Sequence, residues 1–113
     1  MIERHHRTPI MHRVVAHGGL LYFGGMVAED KSLPMKGQTA QALARIGALL
    51  EQHGSDKSKV LAATIFVIDL KQKDAMNEAW VEFFGDDLPT RATVGVAELG
   101  PGSLVEIVVT AAA

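Results

Sequence analysis

The 113-residue sequence predicts an α+β domain with the element order β-β-α-β-α-β-β, two helices lying on one face of a mixed sheet. Three observations predict it. Two apolar stripes recur at helical spacing, an almost continuous β-branched run lies between them, and glycine-punctuated apolar runs open and close the chain. No linker or repeat divides the sequence, so residues 1–113 read as one domain with a modest, aliphatic core.

The elements follow in order. Val14 to Val27 holds two apolar runs parted by Gly18-Gly19, a hairpin signal, with room for a short extra strand before Pro9. The second run, Leu20-Leu21-Tyr22-Phe23, meets Gly24-Gly25; two glycines in a strand pattern indicate a bulge or the close approach of another group. Asp30 to Gly37, with Ser32 and Pro34, reads as a loop. Leu43, Ile46, Gly47 and Leu50 then form the stripe of the first helix, which Gly54-Ser55 ends. Val60 to Ile68 has the apolar, β-branched character of a strand covered on both faces. Met76, Ala79, Trp80 and Phe83 mark the second helix, stopped at Gly85. Two strands finish the chain, about Arg91 to Glu98 and Leu104 to Thr110, joined by Leu99-Gly100-Pro101-Gly102. With both helices on one side, the other sheet face is left bare, and a bare apolar face invites self-association.

Composition narrows the function. Eleven basic against thirteen acidic side chains give a net charge of -2, without the basic stripe of a nucleic-acid binder. The cationic cluster near the N-terminus is half histidine (Arg4, His5, His6, Arg7, His12, Arg13), mostly neutral at pH 7. The absence of cysteine excludes disulfides, thiolate catalysis and cysteine-based zinc sites. A signal-peptide core and a run of roughly 20 apolar residues are both missing, which predicts a cytoplasmic protein without membrane contact. His5 and His6 should point to opposite faces of a strand, and no histidine spacing suggests a metal. Gly18-Gly19 and Gly24-Gly25 lack the helix and lysine of a phosphate loop, and no nucleophile elbow is present. No cofactor is expected.

Two charged residues remain conspicuous. Glu106 interrupts the apolar strand Leu104-Val105-Glu106-Ile107-Val108-Val109, where a carboxylate is costly unless paired or used in acid–base chemistry. From the strand pattern alone it reads more readily as an edge-strand charge that blocks aggregation, or as half of a salt bridge at a subunit contact. Arg91 opens a strand after Leu88-Pro89-Thr90, and its planar fork suits a carboxylate ligand. The alternative for Arg91 is a surface pair with Asp86 or Asp87. Asn77 and Trp80 lie three apart on the second helix, positions that commonly serve solvent and core respectively.

Taken in order, these segments resemble the Rid family, the reactive intermediate deaminases related to RidA and YjgF. The carriers are Gly18 to Gly25, Gln38-Thr39, Thr64 to Asp69, Ala75 to Trp80 with Phe83-Phe84, and above all Pro89-Thr90-Arg91-Ala92-Thr93-Val94 and Leu104-Val105-Glu106-Ile107. The short length and the tryptophan are similar to a compact YoaB-like branch. The resemblance implies a chorismate-mutase-like fold assembled as a homotrimer around a central barrel, with ligand clefts between subunits. It implies hydrolysis of enamines and imines of the 2-aminoacrylate type to 2-oxo acids and ammonia. Arg91 would hold the substrate carboxylate, Glu106 the hydrolytic water, and the backbone near Thr93 the far end of the 2-imino or 2-oxo acid, with Asn77, Gly24 and Met11 lining the cleft. The chain departs from the RidA pattern at three of these places: Met11 stands for a tyrosine, Gly24 for a serine and Thr93 for a cysteine. Those departures leave open a non-catalytic trimer that binds small carboxylic acids. The ribonuclease or translation-inhibitor activity attributed to some relatives fits poorly with the charge of -2.

Overall fold

A computed structural model describes all residues from 1 to 113. Six strands and two helices alternate as β1 (Glu3–Arg7), β2 (His12–His17), β3 (Leu20–Phe23), α1 (Met35–Gln52), β4 (Val60–Val67), α2 (Lys73–Phe84), β5 (Thr90–Gly95) and β6 (Val105–Ala112). They form one sheet of order β1-β2-β3-β6-β4-β5, antiparallel throughout except for the parallel β4–β5 pair. The predicted order therefore holds, with the extra strand before Pro9 added as β1.

Local chemistry explains most boundaries. Gly18 and Gly19 both take positive φ, +60° and +78°, as the tight β2–β3 turn requires. Helix α1 starts at Met35, so the expected loop from Asp30 to Gly37 is cut short. Pro34, extended at ψ 178°, supplies the N-cap, and a fixed φ there favours starting the helix two residues before Gly37. The fully buried Gln38 then ties three segments together. Its amide Nε2 donates to the carbonyls of Lys31, Leu33 and Gly102, and its Oε1 accepts from the Leu104 N–H at 2.9 Å. A buried carboxamide with its donors and acceptor engaged fixes the β5–β6 connection against the start of α1.

Both helices cover one sheet face. Ala42, Leu43, Ile46 and Leu50 of α1, with Met76, Trp80 and Phe84 of α2, pack on Ala63, Ile65, Val67, Val105, Ile107 and Val109. The other face is open in the single chain. Val60 to Ile68 is thus buried on one side rather than both: Leu61 is 49% exposed, and Phe66 is only half-buried. The open face presents rows of Tyr22–Thr110–Ala62, Val108–Thr64–Ala92 and Glu106–Phe66–Val94 across the strands. The apolar run reads as doubly buried because residues on its open face, such as Ala62 and Phe66, are as apolar as those packed against the helices. No helix is long and apolar enough to cross a membrane.

The N-terminal histidines depart from expectation. His6 has φ +59° and drops out of the β1–β2 ladder between the His5–Val14 and Arg7–His12 pairs. That twist turns both rings toward His53, the C-cap of α1, instead of to opposite faces. The Nε2 atoms of His6 and His53 lie 3.0 Å apart, and their centroids stand 5.2 Å apart, close to an end-on arrangement. One ring therefore donates a proton to the other. His5 packs against His53 at 4.6 Å, with Glu3 4.0 Å from His5. Burial, followed by the neighbouring charges of His5 and His6, holds His53 below the ordinary histidine range. A depressed folded value means that the folded state binds fewer protons. Its stabilising contribution is present above about pH 6.5 and is lost as the pH falls below that value. The wild-type melting temperature should fall between about pH 7.5 and 5.5. His53→Asn should flatten that drop; an equal drop in the variant would refute the role of the cluster.

Candidate functional site

Arg91 and its surroundings form one half of the candidate site. Parallel pairing sets Arg91 opposite Ala63, so its side chain rises on the helix-covered face at the open end of β5. Helix α2 buries Met76, Ala79 and Trp80 in the core, and this rotation leaves Asn77 at the rim beside the strand. Arg91 Nη2 donates to Asn77 Oδ1 at 2.5 Å, Nη1 lies 3.9 Å from Met76 Sδ, and the guanidinium sits 5.3 Å from the Trp80 ring. The last distance is within cation–π range. Burial pushes the guanidinium below its ordinary pKa, and it stays cationic at neutral pH.

This geometry replaces both simple readings of these side chains. Arg91 pairs with neither Asp86 nor Asp87 and enters no ion pair, and Asn77 is its acceptor rather than a solvated bystander. The amide of Asn77 and the ring of Trp80 orient the cation without neutralising it, so it retains donors for an external anion. It borders a recess of about 370 Å³ formed with Asn77, Trp80, Val81, Leu88 and Pro89. Thr93, two residues further on the same face, has a buried Oγ1 with no hydrogen-bond partner.

Glu106 belongs to a different half. It alternates with the buried Val105 and Ile107, so it stands on the open face, half-buried. Strand β6 lies between β3 and β4, which removes the edge-strand explanation, and Glu106 has no ion pair in the chain. Its carboxylate lies across Gly25: a Cβ at position 25 would fall 2.0 Å from Oε2. The neighbouring Gly24 meets Met11 in the same way, with its hypothetical Cβ 3.0 Å from Met11 Cε, and the Gly24 N–H donates to the Arg13 carbonyl at 2.9 Å. The Gly24-Gly25 pair thus marks two close approaches, as the sequence pattern indicates. What the sequence did not supply is the identity of the approaching groups. Nor did it single out Gly25 as a site residue.

The two halves do not meet within one chain. Arg91 and Glu106 stand on opposite sheet faces, with β4 between their strands, and their register positions on β4 are Ala63 and Phe66. Two strand spacings and three residues of rise separate their Cα atoms by roughly 14 Å. Arg91, Asn77 and Thr93 form one group; Met11, Gly24 and Glu106 form the other.

Comparison with known proteins places this arrangement in context. The family described as Endoribonuclease L-PSP matches residues 6–113. The RutC family protein YoaB of Escherichia coli K12 is 42% identical over 100 residues, covering 88% of this chain and 87% of that protein. A protein of Dermatophagoides farinae named 2-iminobutanoate/2-iminopropanoate deaminase is 32% identical over 101 residues, covering 84% of this chain and 79% of its own length. Among solved structures, a member of the YjgF protein family from Neisseria meningitidis superposes with a TM-score of 0.93 at 34% identity, covering 99% of this chain and 94% of that one.

Proposed function

The chain belongs to the Rid/YjgF family, that of the Endoribonuclease L-PSP description, and from this premise we propose that it is an imine deaminase whose active site is completed by a second copy of itself. One observation carries the reading: a half-buried guanidinium and a carboxylate, each without an ionic partner, are held in place on opposite faces of the same sheet. Within one chain they cannot act on one small molecule. The open apolar face with Tyr22, Phe66 and Val94 favours self-association, and a trimer that curls this face into a barrel would bring Glu106 of one copy toward Arg91 of the next.

The chemistry follows from the two charges. A 2-imino acid carries a carboxylate one bond from its electrophilic carbon. Arg91 grips that carboxylate through its free fork and so fixes the imine carbon relative to Glu106. Glu106 takes a proton from water as the oxygen attacks, giving a tetrahedral carbinolamine. The same carboxyl delivers that proton to the nitrogen and then carries the hydroxyl proton across to it, so the C–N bond breaks, ammonia leaves and the C=O of the 2-oxo acid forms. The unpartnered Thr93 hydroxyl and the backbone beside it serve the nitrogen or oxygen end of the substrate, while Asn77, Met11 and Gly24 shape the cleft.

The test is ammonia release from 2-iminopropionate generated in place by an amino-acid oxidase. Wild-type protein should accelerate it, and Glu106→Gln should lower kcat by about 10²–10⁴-fold while 2-oxo acid binding persists. An unaccelerated imine decay would reject the enzyme. If Arg91→Ala then abolished 2-oxobutyrate binding, the protein would be a carboxylic-acid-binding module. RNA cleavage retained in an Arg91→Ala, Glu106→Ala double variant would locate any nuclease activity away from this site.

A further inference from the structure

We propose that Gly25 is the positioning residue for the Glu106 carboxylate: the missing side chain at 25 is the space in which Glu106 lies. Glycines in this chain answer two different needs. Gly18, Gly19, Gly54 and Gly85 take positive φ and would meet nothing within 4 Å if a Cβ were added. They are required for backbone conformation alone. Gly25 is the opposite case. Its φ is not positive, so any residue could adopt its backbone, yet an added Cβ would lie 2.0 Å from Glu106 Oε2, 2.8 Å from Cδ and 3.1 Å from Cγ. Space for one carboxylate is the requirement.

The backbone around Gly25 cannot retreat. Met26 and Ile107, the neighbours of Gly25 and Glu106, exchange reciprocal hydrogen bonds of 2.8 and 2.9 Å, and both side chains are buried in the core. This clamp sets the distance between the Gly25 Cα and strand β6. The Glu106 side chain itself can rotate, so a methyl at 25 would displace the carboxylate and leave the strands where they are. Gly24 performs the parallel service for Met11, which is why a glycine pair, not a single glycine, follows β3.

The kinetic consequence rests on the deaminase reading; the structural one does not. Gly25→Ala should fold with a near-native melting temperature and bind 2-oxobutyrate through Arg91 with unchanged affinity. Its kcat for 2-iminopropionate should fall about 100-fold with KM within about 3-fold, as for a displacement of the general base by about 1 Å. In a Glu106→Gln background the same substitution should add no further loss. Independently of activity, carbon NMR of glutamate-labelled protein should show the Glu106 carboxyl resonance moved in Gly25→Ala. Wild-type kcat in Gly25→Ala, or loss of kcat and oxo-acid binding in parallel, would overturn the proposal, as would an unmoved resonance. A wild-type protein without turnover but with a moved resonance would reject the deaminase and keep the seat. Should Gly25→Ala not fold, the Gly25→Ala, Glu106→Ala double variant decides. Melting like Glu106→Ala supports the proposal, and failure to fold overturns it.

Discussion

Replacing Arg91 with alanine should lower kcat/KM for 2-iminopropionate by about 10²–10⁴-fold while the protein stays folded. The size comes from the contacts removed. Two charge-assisted hydrogen bonds to a carboxylate contribute about 1.5–3 kcal/mol each, and every 1.4 kcal/mol is a factor of ten. Both KM and kcat should suffer, because in the proposed reaction the fork would both bind the substrate and aim its imine carbon. Stability should fall modestly: Arg91 spans no ion pair, but its loss frees the Asn77 carboxamide at the rim and removes the contact over Trp80. Arg91→Lys should recover part of the binding and little of the rate. A lysine keeps the charge but cannot present two parallel donors, nor lie flat near Trp80. Ammonia release and 2-oxobutyrate titration measured side by side decide it. Activity of Arg91→Ala within about three-fold of wild type would remove this residue from the mechanism.

The fold was readable wherever burial imposed a period. Leu43, Ile46 and Leu50, and again Met76, Ala79 and Trp80, repeat at helical spacing because each helix buries one stripe, and both helices fall where those stripes lie. β1 carries no such signal. Glu-Arg-His-His-Arg is exposed almost throughout and is held by backbone pairing with β2, which any sequence without proline can supply. Strand order was equally silent. β6 is the last strand in the chain and lies in the middle of the sheet, so a carboxylate that the sequence allowed at an edge stands in an interior strand. For the candidate site, Glu106 stands out as a carboxylate in an apolar strand and Arg91 as a guanidinium at a strand entrance, while their roles come from the family resemblance. The faces they occupy were not, because side-chain parity depends on registers such as Arg91 opposite Ala63 and Glu106 opposite Phe66. Asn77, which the resemblance puts in the cleft, gains its partner Arg91 only through the rotation of α2 toward β5.

That opposition of faces leads to the sharpest expected result. Arg91→Ala and Glu106→Ala proteins should each be nearly inactive alone, yet become active when mixed, dissociated and reassembled. In a cyclic trimer each cleft would take its arginine half from one copy and its glutamate half from the next. Random one-to-one assembly pairs an intact Arg91, from the Glu106→Ala chain, with an intact Glu106, from the Arg91→Ala chain, in about one cleft of four. Activity should therefore rise from near zero to roughly a quarter of wild type, with the KM of those clefts unchanged. If both groups instead served a cleft from the same chain, every mixed cleft would lack one of them and no activity would return. The roughly 14 Å between their Cα atoms, on opposite faces, is the reason to expect recovery. A mixture that remains inactive, while native mass spectrometry shows that hybrid trimers have formed, would dissolve the two-copy site and the deaminase mechanism built on it.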